Sequence, residues 1–199
     1  MKRFNLFSAA ALLGVAVLAS AASAQGGCST GGSCSHGSGM HETSSKSAQH
    51  NRHDSHGFLG SYFEMRALLA GDKVAGLQEL SKNLAKETAS VRVAMAAGPK
   101  DKIRPEQITA LKDIEKAASA MKTRDITAAR ETFKGLSRAA LTYVKAYGCD
   151  TAAYSFYCDM AKESWLQETQ EVGNPYYGAQ MLSCGAMTGH VMNGRYMAK

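Results

Sequence analysis

Residues 105–147, PEQITALKDIEKAASAMKTRDITAARETFKGLSRAALTYVKAY, carry the pattern that decides the predicted fold. Apolar residues recur there at steps of three and four, the spacing of one buried face of an amphipathic helix. Pro105 with Glu106 starts one helix, because proline is tolerated in the first turn and an acid favours the helix dipole there. Asp125 is expected to cap the next helix. The inward positions are Ile108, Leu111, Ile114, Ala118 and Met121, then Ile126, Ala129, Phe133, Leu136, Ala140, Tyr143 or Val144, and Tyr147.

The same spacing continues upstream and predicts two more helices. The first ends at Gly71, and Asp72 is expected to cap the second, which Gly98-Pro99 ends. The loops near 71, 98–104 and 122–125 are short, so neighbouring helices should run antiparallel. We therefore predict an all-α fold, an antiparallel four-helix bundle. The inward positions of these two helices are Phe58, Tyr62, Met65, Leu69, Leu77, Leu80, Leu84, Val91 and Met95, with the methionines here and at 121 as core filler.

The predicted bundle, residues 57–147, offers no catalytic constellation. It contains no histidine, so it supplies neither a Ser-His or Cys-His base nor a Glu-x-x-His di-iron pair. No Gly-rich phosphate loop follows a strand. The formal charge of +6 includes no dense Lys/Arg block, so nucleic acid is not an expected partner. We therefore expect a protein that is not an enzyme.

The N-terminus has the composition of a secretory signal peptide. Lys2 and Arg3 precede a mostly apolar run, Leu6–Leu18, and Ala22-Ser23-Ala24 forms a small-residue cleavage site. We predict that residues 1–24 are removed and that the mature chain resides in a bacterial periplasm. The apolar run is shorter than the roughly 20 residues that span a bilayer. We expect no membrane span after cleavage.

Residues 25–56 are rich in Gly, Ser and His and nearly lack large apolar side chains. Such a segment buries too little surface to offset its chain entropy, so a disordered tail is expected. Imidazole, thiolate and thioether groups suit Cu(I), and imidazole with thiolate also suits zinc. The alternatives are a linker that binds nothing and a disulfide between Cys28 and Cys34. The candidate tail ligands are Cys28, Cys34, His36, Met40 and His41, with His50, His53 and His56 at steps of three.

The last fifty residues combine cysteines, methionines and aromatics. From about residue 148 we expect an irregular C-terminal module that Trp165 packs onto the bundle, ending near 188, with a polar tail at 189–199. The turn at Asn174-Pro175 can fold residues 181–184 back on 157–160. The candidate metal ligands that would then converge are Cys158, Met160, Met181, Cys184 and His190.

Disulfide bonds are the alternative fate of these thiols, because an exported chain meets an oxidising compartment. A Cys158–Cys184 bond would close a loop of about 26 residues and contribute roughly 3 kcal/mol in the chain-entropy model. Cys149 would then be the odd thiol, unless it pairs with Cys158 instead. Either bond would remove thiolate ligands and leave Met160, Met181 and His190 in place.

Four short motifs in this module resemble a known family. They are Tyr157-Cys158-Asp159-Met160, Trp165-Leu166-Gln167, Asn174-Pro175-Tyr176-Tyr177-Gly178 and Met181-Leu182-Ser183-Cys184-Gly185. They look like the signature of an uncharacterised bacterial periplasmic domain family, found alone or fused to adaptor subunits of copper/silver efflux pumps. The resemblance covers about residues 57–188 and implies a helical bundle linked to heavy-metal handling, with no known reaction.

These observations lead to two functional expectations. The first is a periplasmic heavy-metal-binding protein, copper first and zinc or other soft metals second, accessory to metal efflux or resistance. Its partners would be the metal ion and a periplasmic efflux adaptor or another envelope protein. The alternative is a disulfide-stapled helical interaction module that binds no metal.

Overall fold

The structure, a computed structural model, describes residues 57–199 as four α-helices followed by four β-strands. The expectations for residues 1–56 lie outside the described residues. They concern the signal peptide, the tail and the candidate ligands Cys28, Cys34, His36, Met40 and His41.

The four predicted helices are present. They begin and end close to the start and stop residues identified in the sequence, with Pro105 in the first turn of the third helix and Gly148 directly after the fourth. Within residues 57–199, none of the helices has both the length and the apolarity needed to cross a membrane. The helices are α1 (Gly60–Ala70), α2 (Leu77–Ala96), α3 (Pro105–Ser119) and α4 (Ile126–Tyr147), with single 3₁₀ turns at Gly57–Leu59, Lys100–Lys102 and Gly178–Gln180.

One of the two predicted N-caps is confirmed and the other is wrong. The Asp125 carboxylate accepts a hydrogen bond of 2.7 Å from the Ala128 N–H, which satisfies a free donor at the start of α4. Asp72 does not cap α2, because that helix begins at Leu77 after Gly76. Asp72 instead adopts a positive φ of 57° and turns its carboxylate toward other parts of the chain.

The prediction of an all-α four-helix bundle is wrong, because the C-terminal residues form an antiparallel sheet. The described chain is 54% helical and 15% strand, which makes the fold mixed α/β. The sheet has the order β2-β1-β3-β4 and includes residues that the sequence analysis assigned to a polar tail. Its strands are β1 (Tyr154–Cys158), β2 (Glu163–Gln167), β3 (Ala186–Met192) and β4 (Arg195–Ala198).

A buried hydroxyl links the helices to the sheet. The Tyr62 Oη atom in α1 lies 2.9 Å from Ser137 Oγ in α4 and accepts the Leu166 N–H of β2 at 3.1 Å. Burial raises the pKa of Tyr62 to about 12, so this hydroxyl stays neutral at physiological pH. The Tyr62 ring also stacks on Phe133 at 5.2 Å, with Met65 fully buried nearby in the same core. This core holds the sheet against α1 and α4.

Candidate dithiol site

Cys158 and Cys184 are brought together by two neighbouring strands. Cys158 is the last residue of β1, and Cys184 lies two residues before β3, which pairs with β1. The pairing of Tyr157 with Ala186 sets the register that aligns them. The two Sγ atoms lie 3.0 Å apart, and both thiols are free. The Cys158 side chain is buried, whereas Cys184 is partly accessible.

Asn174 fixes the loop that carries Cys184. Its backbone N–H donates to the Leu182 carbonyl at 2.8 Å, and its side-chain amide donates to the Cys184 carbonyl, also at 2.8 Å. The amide oxygen accepts the Tyr176 N–H at 2.8 Å. Since Asn174 is fully buried, these bonds satisfy groups that would otherwise be costly to remove from water. The turn therefore folds residues 181–184 back toward β1.

An aromatic cluster of Trp165, Phe156 and Tyr176 packs against the loop that carries Cys184. Trp165 is fully buried, stacks on Phe156 at 5.5 Å and meets Tyr176 edge-on at 5.8 Å. Its indole N–H donates to Gln167 Oε1 at 2.9 Å. A Cβ at Gly185 would lie 2.5 Å from the Trp165 ring, so only glycine lets the chain after Cys184 approach this closely. Trp165 thus packs against the loop, and reaches the helices through Tyr176, which contacts Phe133.

The surroundings of the two sulfur atoms favour one thiolate. Burial disfavours the charged form of Cys158, but hydrogen bonds from the Cys184 thiol and from backbone N–H groups outweigh it. The pKa of Cys158 therefore lies below its ordinary value. The donors include the Ala161 N–H, 3.5 Å from the sulfur, and the Met160 N–H, with the Asn174 side chain adding to them. The hydrogen bond between Cys184 and Cys158, together with burial, raises the pKa of the Cys184 thiol.

These shifts predict a two-step titration of the remaining thiols in a Cys28→Ser/Cys34→Ser background, which removes the two cysteines outside the described residues. The thiolate absorbance near 240 nm of the reduced protein should first rise below the ordinary thiol range, because the folded state stabilises the Cys158 anion. Cys149, whose pKa is raised by burial, should titrate only above that range. The Cys158→Ser variant should lose the early step, and Cys149→Ser should keep it. An early step that survives in Cys158→Ser would contradict the assignment.

Met160 and Met181 flank the thiol pair along the chain. Met160 is two residues after Cys158, its side chain is 62% exposed, and its carbonyl accepts the Tyr177 hydroxyl at 3.3 Å. The Met181 carbonyl accepts the Cys184 N–H at 3.0 Å. Both methionines therefore belong to the same turn region as the two sulfurs.

His190 and Cys149 lie away from the pair. His190 is aligned with Tyr154, which precedes Cys158 by four residues on β1. At about 3.4 Å per residue, that separation is about 14 Å. Cys149 follows α4 and donates its S–H to the Thr151 carbonyl at 3.3 Å. The five predicted ligands of the module therefore do not all converge. Within residues 57–199, no three His, Cys, Asp or Glu residues are grouped to hold an ion.

Sequence reasoning missed Arg130, which fixes the opposite side of the same loop. Its guanidinium donates to the Leu69 carbonyl at 2.8 Å, to the Pro175 carbonyl at 3.1 Å and to Asp72 at 2.5 Å. Asp72 in turn accepts the Ala179 N–H, and these bonds lower the pKa of its carboxyl. No local pattern marks these partners, because they are 45 or more residues from Arg130 along the chain.

A cleft of about 240 Å³ lies next to the turn that follows Cys158, although neither cysteine lines it. It lies between α4 and the two turns that carry the site. Arg130 and Lys134 contribute positive charge, and Met160 lies at its wall with two tyrosines. The tyrosines are Tyr176 and Tyr177, and the remaining lining residues are Thr127, Glu131 and Ala161.

No family model, no curated protein and no solved structure matches this chain.

Proposed function

We propose that this protein is an exported metal-handling protein that binds a soft ion, Cu(I) first and zinc second, between Cys158 and Cys184. It would hold the ion for transfer in metal efflux or resistance, with a periplasmic efflux adaptor or another envelope protein as its partner. The observation that carries the proposal is the contact between two free thiols whose sulfur atoms lie 3.0 Å apart. One thiol is at the end of β1 and the other is just before β3.

The spacing of the two sulfurs is compatible with a shared ion. Sulfurs that bind one tetrahedral ion at about 2.3 Å lie about 3.8 Å apart, whereas a disulfide needs about 2.05 Å. The observed 3.0 Å lies about 1 Å from either state. Each state therefore requires a change of only about 1 Å in the separation of the two sulfur atoms.

The hydrogen bonds around Cys158 support a metal ligand more than a purely structural thiol. Metal ions bind the thiolate form of cysteine. Successive backbone N–H groups in a turn create a concavity that stabilises an anion, and the N–H groups of Met160 and Ala161 meet at the Cys158 sulfur. The site therefore stabilises the form of sulfur that binds metal before any ion arrives.

Thioethers are available to complete the coordination. Cu(I) is a soft ion and accepts thiolate and thioether sulfur. Met160 is exposed beside the pair, and Met181 is three residues before Cys184. A third or fourth ligand would come from these side chains, which lie in turns and not in strands.

A disulfide-stapled interaction module is the second candidate function, and the same sulfur contact favours it. In an oxidising compartment two thiols this close are prone to form a bond. The bond and the ion exclude each other, because both use the same two sulfur atoms. The redox state of the pair in the exported protein therefore separates the two functions.

Titration of the reduced, full-length protein with Cu(I) against a competing chelator tests the proposal. A Cys28→Ser/Cys34→Ser background removes the tail thiols from the competition. In that background, Cys158→Ser/Cys184→Ser should lose one tightly bound ion, with affinity at least about 100-fold weaker, since changes around metal ligands already cost 10–100-fold.

Cys149→Ser is the matched control, because it removes a thiol that lies away from the pair. It should bind Cu(I) like its parent. Equal affinity of the parent and of Cys158→Ser/Cys184→Ser would refute the proposed site.

A further inference from the structure

The C-terminal hairpin aligns three soft side chains on one face. His190 on β3 is directly opposite Met197 on β4, and Met192 lies two residues after His190 on β3. Directly opposite residues have Cβ atoms about 4.5–5.5 Å apart, and residues two apart on a strand share a face. We call His190, Met192 and Met197 the hairpin cluster.

This face points away from the helices. On the other face of the hairpin, Val191 is buried and Tyr196 lies under the Lys145 ammonium of α4, 5.7 Å from its ring centre. Strand alternation places the hairpin cluster on the opposite side. Met192 is 53% exposed and Met197 is 48% exposed, so neither methionine fills the core.

The imidazole of His190 is held in place on this face. Its ring stacks on Tyr154 with centroids 6.3 Å apart and an angle of 26°. The Tyr154 hydroxyl accepts a hydrogen bond from Gln170 at 3.3 Å, which fixes the tyrosine in turn. Among residues 57–199, no partner hydrogen-bonds either ring nitrogen of His190. The imidazole is therefore positioned yet free to bind a ligand.

We propose that the hairpin cluster is a second soft-metal site, which binds Cu(I) or Ag(I) through one imidazole and two thioethers. These are the ligands that a soft monovalent ion prefers. An exposed edge strand normally carries charged residues that prevent pairing with other chains. Of the two exposed methionines, only Met197 lies on the edge strand β4, and its uncharged thioether does not serve that purpose.

The site is independent of the Cys158–Cys184 pair. His190 is aligned with Tyr154, about 14 Å along β1 from Cys158, too far for one ion to bridge both sites. It also remains available when the two cysteines form a disulfide. Arg195, opposite Met192, places a positive charge on the same face and weakens cation binding to the extent that solvent does not screen it.

Residue-resolved NMR of the full-length protein with ¹³C-methyl methionine tests the site. The variant that lacks all five thiols, Cys28→Ser/Cys34→Ser/Cys149→Ser/Cys158→Ser/Cys184→Ser, is titrated with Ag(I), so failure of the dithiol proposal leaves this test unaffected. The Met192 and Met197 methyl signals and the His190 ring signals should shift together along one binding curve. The methyl signal of Met121, a residue that lies after α3, should not shift and is the internal control.

Substitutions give the second arm of the test. His190→Gln and Met197→Leu should each weaken Ag(I) binding at least tenfold, Met121→Leu should leave it unchanged, and Arg195→Gln should strengthen it. If the thiol-free variant fails to fold, the reduced wild type is titrated instead. The same signals are then followed after Ag(I) has saturated the thiols. Cluster signals that never shift, or that shift only in step with Met121, overturn the proposal.

Discussion

Replacing Trp165 with alanine is expected to lower the free energy of unfolding by about 3–5 kcal/mol, the usual cost of removing a buried tryptophan. The side chain is fully buried, stacks on Phe156 and contacts Tyr176, and its N–H is paired with Gln167. Urea unfolding followed by far-UV circular dichroism measures the change, because the variant has no tryptophan left to report by fluorescence. A reducing agent keeps disulfides out of the comparison.

Two variants control the interpretation. Trp165→Phe keeps an aromatic ring on Phe156 and loses mainly the indole hydrogen bond, so its cost should be about 1–2 kcal/mol. Val93→Ala trims an exposed apolar side chain of α2 and should change stability by less than about 0.5 kcal/mol. If Trp165→Ala cost no more than Val93→Ala, the aromatic cluster would not support the loop that carries Cys184.

Oxidation of the Cys158–Cys184 pair is expected to raise the free energy of unfolding by about 3 kcal/mol. The two cysteines are 26 positions apart, and closing a loop of that length restricts the unfolded chain by about this amount. The native spacing of 3.0 Å means that the bond forms with little distortion of the fold. Denaturation of the Cys28→Ser/Cys34→Ser/Cys149→Ser variant, oxidised and reduced, isolates the effect of this bond.

The same background with Cys184→Ser is the matched control and should show no difference between oxidising and reducing conditions. Oxidation should also abolish Cu(I) binding at this pair while leaving the hairpin cluster unaffected. Mass spectrometry of the protein isolated from its native cells without added reductant then separates the two candidate functions. Quantitative bridging of Cys158 and Cys184 without retained metal favours the interaction module, and reduced thiols with bound metal favour metal handling.

The helices could be predicted because their signals are local. Steps of three and four residues locate a buried face within one element, and Pro105, Asp125 and Gly148 mark ends through bonds that span only a few residues. The Asp125 cap reaches Ala128, three residues away. Asp72 was misread for the opposite reason, since its partner Arg130 lies 58 positions away.

The strands were missed because the expected alternation is hidden. In β1 both Ser155 and Phe156 are buried, one on each face, so apolar and polar residues do not mark an inside and an outside. A bulge between Ser155 and Phe156 in the pairing with β3 disrupts the pattern further. The turn at Asn193-Gly194, with both φ angles positive, was the one clear signal of a hairpin in the presumed tail.

The sequence by itself determined the four helices and most of their ends, the start of α2 excepted, and that Asn174-Pro175 turns the chain. Those features depend on neighbours within one turn. Only the tertiary structure decided which side chains meet across the sheet, because strand register sets that outcome and the β1–β3 pairs lie 29 to 36 positions apart along the chain. The register places Cys158 against Cys184 and aligns His190 with Tyr154 and Met197. The ligands that the sequence predicts to converge on one ion therefore lie at two separate places in the fold.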